Sequence, residues 1–240
     1  MENSLTASGW KDDFYRKYRL STVPEHLLII GSFLIEANYK SDSSTLRSRL
    51  DPKKIEGILN QAWCVVGAKN AKQLIESLLT LPSVHNFKDV AEVVLNQHKS
   101  HPKHPVASAL LGESAKLFHF IDQKCETRFF DCGYTFNFSA YQNIKNVASW
   151  DIERAGLIIR YAFTIGWLTE EEAIAYLKKA YTVAELNYSN WCQYFIGYLK
   201  GRALLFDASE GESSNYITVL NEIMQQPEMY FHHYPLTQSN

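Results

Sequence analysis

The sequence lacks the motifs by which the best-known enzyme and binding classes are recognised. Its 240 residues contain no Walker phosphate loop, no G-x-G-x-x-G fingerprint, no G-x-S-x-G elbow, no H-E-x-x-H helix and no EF-hand loop. Repeats of fixed period are absent as well. These absences exclude the readily recognised members of those classes, but they leave catalysis of another kind open.

Cysteine and metal-ligand patterns are sparse. The four cysteines include no C-x-x-C pair, and the seven-residue spacing of Cys125 and Cys132 is not a known metal-ligand spacing. His98, His101 and His104 form the most metal-like group, but two prolines interrupt their segment and no acidic residue is adjacent. We therefore predict reduced thiols, a solvated hinge at the histidines, and no metal or other cofactor.

There is no excess of positive charge and no apolar run long enough to cross a membrane. The formal net charge is −2 and the isoelectric point about 6.4, whereas nucleic-acid binders normally carry a basic excess. The longest apolar stretches, 27–35 and 155–168, fall short of the roughly 18 to 20 residues of a membrane span. The N-terminus also lacks the apolar core of a signal peptide. We expect a soluble, cytoplasmic protein that binds neither nucleic acid nor membrane.

Helical periodicity is present over roughly two thirds of the chain, about twice the usual share. Helices are predicted at 24–39, 51–66, 70–81, 87–98, 105–128, 150–165, 170–186, 190–206 and 216–226. The pattern predicts an all-α, single multi-helix domain, with a short β-hairpin or ordered loop around 129–140, where polar and aromatic residues alternate. We expect residues 1–50 to form an N-terminal helix and polar linker packed on the main body, and residues 51–240 to form the main helical domain.

Local capping patterns predict where several helices begin. Asp51 and Pro52 are a typical N-cap and first helical residue. Thr169 and Glu172 have the spacing of a capping box, in which each side chain binds a backbone N–H of the other residue. Ser189 is the predicted cap of the following helix, and the acidic run DASEGESS at 207–214 is predicted to be a surface loop.

The best candidate for a functional site lies on two otherwise apolar helices in the last third of the chain. Asp151 and Arg154 are three residues apart and share a helix face. On the later helix, Trp191, Tyr198 and Arg202 fall at offsets that line one face, so that Arg202 continues an aromatic stripe. A charge at the edge of a core needs a partner, and we expect both guanidinium groups to lie near the carboxylate of Asp151.

Two interpretations of this cluster stay open. In the structural one, Asp151 accepts hydrogen bonds from an arginine and fixes the register of the helix ends, while the aromatic residues are core. In the functional one, the arginines line a pocket for an anionic or planar ligand. The candidate binding residues are Trp150, Asp151, Arg154, Tyr161, Glu172, Trp191, Tyr198 and Arg202.

The same residues carry a family resemblance. The stretch SWDIERAGLIIRYAFTIGWLTEEEAIAYL, followed by NYSNWCQYFIGYLKGRALLF, resembles the bacterial domain-of-unknown-function family 1266. Its W-D-x-x-R, G-[YW]-[IL]-x-E-E-E-A, S-x-W and Y-x-x-G-R elements correspond to Trp150, Asp151, Arg154, Gly166, Trp167, Glu170, Glu171, Glu172, Ala173, Ser189, Trp191, Tyr198, Gly201 and Arg202. The resemblance extends from about Ile55 to Pro235. It departs at 81–86, where members tend to have a GH-R element and only His85 corresponds.

The resemblance implies a helical bacterial domain and brings no activity with it. Three functions therefore stay open. The first is a binding or protein-interaction module. The second is an enzyme or toxin-type effector that acts on a nucleotide or other anionic small molecule, with Asp151 or Glu172 as its catalytic group. The third is an immunity-type partner protein whose acidic segment, 207–212, binds a basic toxin.

Overall fold

The computed structural model describes residues 12–39, 43–85, 146–205, 210–226 and 229–236. Within these ranges the chain forms helices and no strand, which confirms the all-α prediction. The helices are α1 (Asp13–Tyr18), a 3-10 helix (Glu25–Ile29), α2 (Ser32–Tyr39), α3 (Pro52–Trp63), α4 (Ala68–Leu79), α5 (Ala148–Thr164), α6 (Glu170–Asn187), α7 (Trp191–Leu205), α8 (Glu210–Met224) and α9 (Tyr230–His233). The predicted helices 87–98 and 105–128, the histidine segment and the 129–140 element lie outside the described residues.

Helix α5 is the centre of the molecule. Fifteen of its 17 residues are buried, and it packs against α2, α3, α4, α6 and α7. A helix that is apolar on nearly every side satisfies the hydrophobic effect only in the middle of a domain. Its bounds agree with the sequence prediction, and Gly166, with a φ of 79°, ends the helix as expected.

Helices α4 and α6 lie side by side and run in the same direction. Lys72 pairs with Glu172 near the start of both helices, and Glu76 pairs with Lys179 further along. The predicted capping box at the start of α6 is confirmed, because Thr169 Oγ1 accepts from Glu172 N at 3.3 Å and Glu172 Oε2 accepts from Thr169 N at 3.0 Å. Both helices therefore cover α5 in a fixed register.

The predicted helix 24–39 is two elements, which corrects the sequence analysis. The 3-10 helix ends at Ile29, and α2 begins at Ser32 after Gly31, whose φ is 80°. A Cβ added to Gly31 would lie 2.7 Å from the backbone of Gly156 in α5. The two backbones touch at this point, and only glycine permits both the contact and the positive φ.

Two other helix ends in this half differ from the prediction. Asp51 caps α3 as expected and accepts from the N–H groups of Lys53 and Lys54. The helix ends at Trp63, however, where Cys64 takes a left-handed conformation with a φ of 54°. Gly67 is the N-cap of α4 instead of the end of α3, so that α4 begins before the predicted cap at Asn70.

Two corrections fall in the last third. Helix α7 begins after Asn190, whose Oδ1 accepts from Gln193 N at 2.9 Å, so the observed cap is Asn190 and not Ser189. The predicted acidic loop is helical from Glu210 onward, because α8 begins there and not at Tyr216. Its glutamates occupy the first turn of a helix, where the helix dipole favours negative charge.

The C-terminal segment 229–236 packs back onto α6 and α7. Trp191 Nε1 donates to the carbonyl of Tyr234 at 2.7 Å, and the hydroxyl of Tyr181 donates to the carbonyl of Pro235 at 3.2 Å. The segment 229–236 thus helps to cover the hydrophobic core. Across the described ranges, no helix combines the length and apolar character that a membrane crossing requires.

Candidate functional site

Asp151 lies in the first turn of α5 and is fully buried. Its carboxylate accepts from Ser83 N and from Ser83 Oγ, both at 2.8 Å, and pairs with Arg154. Ser83 belongs to the helical turn that starts at Pro82, directly after Leu81, whose φ of 57° is rare for a leucine. Asp151 therefore caps the start of a turn from another part of the chain.

Arg154 lies between two indole rings. Its Nε donates to the carbonyl of Trp150 at 3.1 Å, and its guanidinium carbon lies 4.6 Å from the ring centroid of Trp150 and 5.9 Å from that of Trp63. The side chain is 21% exposed, so it is partly accessible to solvent. Stacking on aromatic faces and pairing with a carboxylate together fix its orientation.

The expectation that Arg202 lies beside the carboxylate of Asp151 is not met. In the described part of the chain Asp151 is held by Ser83 and Arg154, whereas Arg202 pairs with Glu212 and lies 4.1 Å from the ring centroid of Tyr216. The reason is α8. Because the predicted acidic loop is helical, it folds back over α7 and supplies Arg202 with a nearer carboxylate.

A row of aromatic rings separates the two arginines. Trp150 lies 5.3 Å from Tyr198, and Tyr198 lies 6.3 Å from Tyr216, measured between ring centroids. Arg154 contacts the Trp150 end of the row and Arg202 the Tyr216 end. The structure therefore brings five of the candidate residues into one cluster, with the guanidinium groups at opposite ends.

Two glycines allow this close approach of α5 and α7. A Cβ on Gly201 would lie 2.5 Å from Cβ of Trp150, and a Cβ on Gly197 would lie 2.7 Å from Oγ of Ser149. The four-residue spacing of these glycines places both on one face of α7, and the helix that packs against this face is α5.

The other three candidate residues lie apart from this cluster. Glu172 is on the first turn of α6, whereas the far end of α6 contacts the start of α5 through Tyr188 and Ser149. The length of the helix places Glu172 about 24 Å along its axis from that contact. Trp191 is tied to the C-terminal segment, and Tyr161 is fully buried in the core.

Sequence reasoning did not identify Glu153, which is fully buried on α5. Its carboxylate accepts from Gly31 N at 2.9 Å, Leu34 N at 3.1 Å and the hydroxyl of Tyr194 at 2.8 Å. Gly31 and Leu34 are at the start of α2, so Glu153 caps this helix from outside. Burial raises the pKa of Glu153 to about 7, although the three hydrogen bonds favour the charged form.

Arg160 was also not identified. It is buried on α5, and its guanidinium donates to the carbonyls of Leu28, Ser43 and Thr45. Its positive charge acts against the effect of burial on the pKa of Glu153. Through these hydrogen bonds the pair binds backbone groups of the N-terminal elements to α5.

The spacing of these residues could have revealed them. Glu153, Gly156 and Arg160 stand at i, i+3 and i+7, which places them on one face of α5. That face carries the contact with Gly31. Asp151 and Arg154, by contrast, are directed toward Ser83 and Trp63. Helix α5 therefore has two polar faces. One binds the N-terminal elements, and the other binds Ser83 and Trp63.

Comparison with known protein families assigns the chain to one of them. A family model described as "Protein of unknown function (DUF1266)" matches residues 58–236. The chain belongs to the DUF1266 family. The match includes Asp151, Arg154 and Arg202, whereas α1, the 3-10 helix and α2 lie before its start.

A curated relative of this DUF1266 protein is the "Uncharacterized protein YbeR" of Escherichia coli (strain K12). It is 30% identical over 82 residues, which cover 34% of this chain and 33% of the relative. The chain thus matches about a third of the relative's length. No solved structure matches the chain.

Proposed function

We propose that this DUF1266 chain is a helical protein-interaction module in which the Asp151–Arg154 cluster is architectural. The observation that supports the proposal is that the buried carboxylate of Asp151 accepts two hydrogen bonds from Ser83 and forms an ion pair with Arg154. A general acid or base must reach a substrate proton. Asp151 is directed at the turn that starts at Pro82, and Glu172 is engaged at a helix end with Lys72.

The proposal includes a bacterial, cytoplasmic setting. The matched relative is from Escherichia coli, and Cys64, an exposed cysteine of the described ranges, is not in a disulfide. Reduced cysteines are usual in the cytoplasm. Fractionation of cells that produce the tagged chain tests this part, and recovery from the periplasm or the membrane contradicts it.

The immunity-type alternative has less support than the interaction module. It relied on a solvated acidic segment at 207–212, but the chain is helical from Glu210 and Glu212 is paired with Arg202. A ligand-binding alternative has one observation in its favour. Within the described residues no hydrogen bond is made by Nη1 of Arg154, and this side chain is partly exposed between two indole rings.

One experiment on stability separates an architectural cluster from a ligand site. We expect Asp151→Asn to lower the free energy of unfolding by about 2–3 kcal/mol, because it leaves Arg154 without its carboxylate at a largely buried position. Glu76→Gln breaks an exposed ion pair and should change it by less than about 1 kcal/mol. Chemical denaturation of both variants and the wild type gives these values.

A second measurement tests interaction directly. The tagged full-length chain, expressed at native level in its host and cross-linked in cells, should yield a defined protein partner by mass spectrometry. In parallel, a thermal-shift screen against carboxylate and phosphate compounds should give no stabilisation that depends on Arg154. Three results together contradict the proposal. An anion stabilises the wild type but not Arg154→Gln, no protein is cross-linked, and Asp151→Asn has the stability of the wild type.

A further inference from the structure

The segments α1 and 43–50 are fastened together at the surface. Both terminal nitrogens of Arg49 donate to the carboxylate of Asp12, at 2.8 and 2.7 Å, and its guanidinium carbon lies 4.5 Å from the ring centroid of Phe14. Two parallel hydrogen bonds and a stacked ring fix relative orientation better than a single contact does. The side chains carried by the two segments therefore present one continuous surface.

Three cationic side chains and one aromatic ring form that surface. Lys17 Nζ and the guanidinium carbon of Arg47 each lie 5.0 Å from the ring centroid of Tyr18. Across the described ranges, neither Lys17 nor Arg47 is paired with a carboxylate. Within the same ranges the ion pair of Arg16 is an exposed one with Asp13, in which the two side chains are 73% and 98% exposed. Such a contact contributes little and is readily exchanged.

We propose that Arg16, Lys17, Tyr18 and Arg47 form a docking surface for an acidic segment of the partner protein. This inference rests on the interaction module proposed above and names the chemistry of its partner. Two cations held against one ring concentrate positive potential beside an apolar face. A segment that alternates carboxylates with small or aromatic residues complements both features.

The charge distribution favours a protein segment over a phosphate polymer. The chain as a whole has a net charge of −2, and the carboxylates of Asp12 and Asp13 stand next to the cationic side chains. A nucleic acid carries a charge at every unit and would meet these carboxylates as well, whereas spaced carboxylates on a peptide avoid them. Helix α1 has six residues, too few for the apolar face of a membrane-bound helix.

The test uses the full-length chain and a fluorescein-labelled peptide of alternating glutamate and serine, with a glutamine version as its neutral control. In fluorescence anisotropy at low salt, the glutamate peptide should bind and the glutamine peptide should not. The double variant Lys17→Glu/Arg47→Glu should bind at least about tenfold more weakly, because attraction at two positions becomes repulsion. Added salt should weaken the wild-type binding in proportion to the exposed charges involved.

A matched control separates this surface from general electrostatic attraction. Lys69→Glu/Lys178→Glu makes the same charge change at two exposed lysines on α4 and α6, and it should leave peptide binding within about twofold of wild type. The variant Lys17→Arg/Arg47→Lys keeps both charges and should retain binding. Circular dichroism should show the same melting temperature for all variants, because the changed groups are at the surface.

Three results overturn the inference. The first is equal peptide binding by wild type and Lys17→Glu/Arg47→Glu. The second is tighter binding of a single-stranded oligonucleotide or of phosphatidylserine vesicles than of the glutamate peptide. The third is full retention of the cross-linked partner by Lys17→Glu/Arg47→Glu, which removes this docking surface but leaves the interaction module standing. The absence of any partner protein, by contrast, removes the module itself.

Discussion

Burial and hydrogen bonding act in opposite directions on the carboxylate of Glu153. Three donors stabilise its charged form, yet complete burial dominates and raises the pKa to about 7. The group therefore titrates in the physiological range at the point where α2 is fastened to α5. Buried carboxylates of this kind make the stability of a protein depend on pH.

We predict that Glu153 makes the protein more stable at pH 5 than at pH 8. Between the ordinary pKa of 4.5 and the raised value of about 7, the folded state binds a proton that the unfolded state has released. Stability from this group is therefore full below pH 4.5 and lost as the pH rises through 7. The difference amounts to about 3 kcal/mol.

Denaturation of wild type and Glu153→Gln across this pH range tests the prediction. The difference in unfolding free energy between the two proteins should change by about 3 kcal/mol from pH 5 to pH 8. Glu171→Gln serves as the control, because Glu171 is exposed and its pKa is lowered by hydrogen bonds at the start of α6. A pH-independent difference for Glu153→Gln contradicts the assigned titration.

At the scale of elements, the contact between α5 and the α2 entry depends on two touching glycines. We predict that Gly156→Ala destabilises the protein by about 1–3 kcal/mol, because the new Cβ would lie 2.7 Å from the backbone of Gly31. Gly57→Ala in α3 meets no atom within 4 Å, so it should stabilise by about 0.5–1 kcal/mol through helix propensity. Equal effects of the two substitutions in urea denaturation would show that the helices do not touch there.

The start of α5 depends on Tyr188, which follows α6. The Tyr188 hydroxyl accepts from Ser149 N at 2.9 Å and donates to the carbonyl of Asn146 at 3.0 Å. We predict that Tyr188→Phe lowers the unfolding free energy by about 1–3 kcal/mol, because it leaves a buried N–H without an acceptor. Tyr181→Phe removes a more exposed hydroxyl bond and should have a smaller effect in the same denaturation assay.

Local sequence signals predicted the elements better than they predicted the contacts between them. The capping box at Thr169, the cap at Asp51 and the end of α5 at Gly166 depend on residues within one turn, and the structure has all three. Besides Arg154, the carboxylate of Asp151 binds Ser83, which is 68 residues away, and no local pattern specifies that contact. Arg202 was assigned the wrong carboxylate because residues 210–214, which form the start of α8, were predicted as a loop.

On the scale of the whole molecule, the N-terminal elements and α5 depend on each other. Glu153 and Arg160 are buried charges, and their described hydrogen-bond partners include Gly31, Leu34 and Leu28, which precede the DUF1266 match. An uncompensated buried charge strongly destabilises a fold. The predicted packing of residues 1–50 on the main body can therefore be tested by removing them.

We predict that a chain of residues 51–240 does not fold stably by itself. Deletion removes the backbone partners of Glu153 and Arg160 and uncovers the apolar side of α5, losing more than about 5 kcal/mol, the lower end of a domain's usual stability. Circular dichroism and thermal unfolding measure the loss. Addition of residues 12–50 as a separate peptide should restore part of the cooperative transition. The substitutions Glu153→Gln/Arg160→Met in the shortened chain should also restore part of it without the peptide, because they remove the buried charges. A shortened chain that melts at the wild-type temperature would show that the family domain is self-sufficient and that the N-terminal elements merely lie on it.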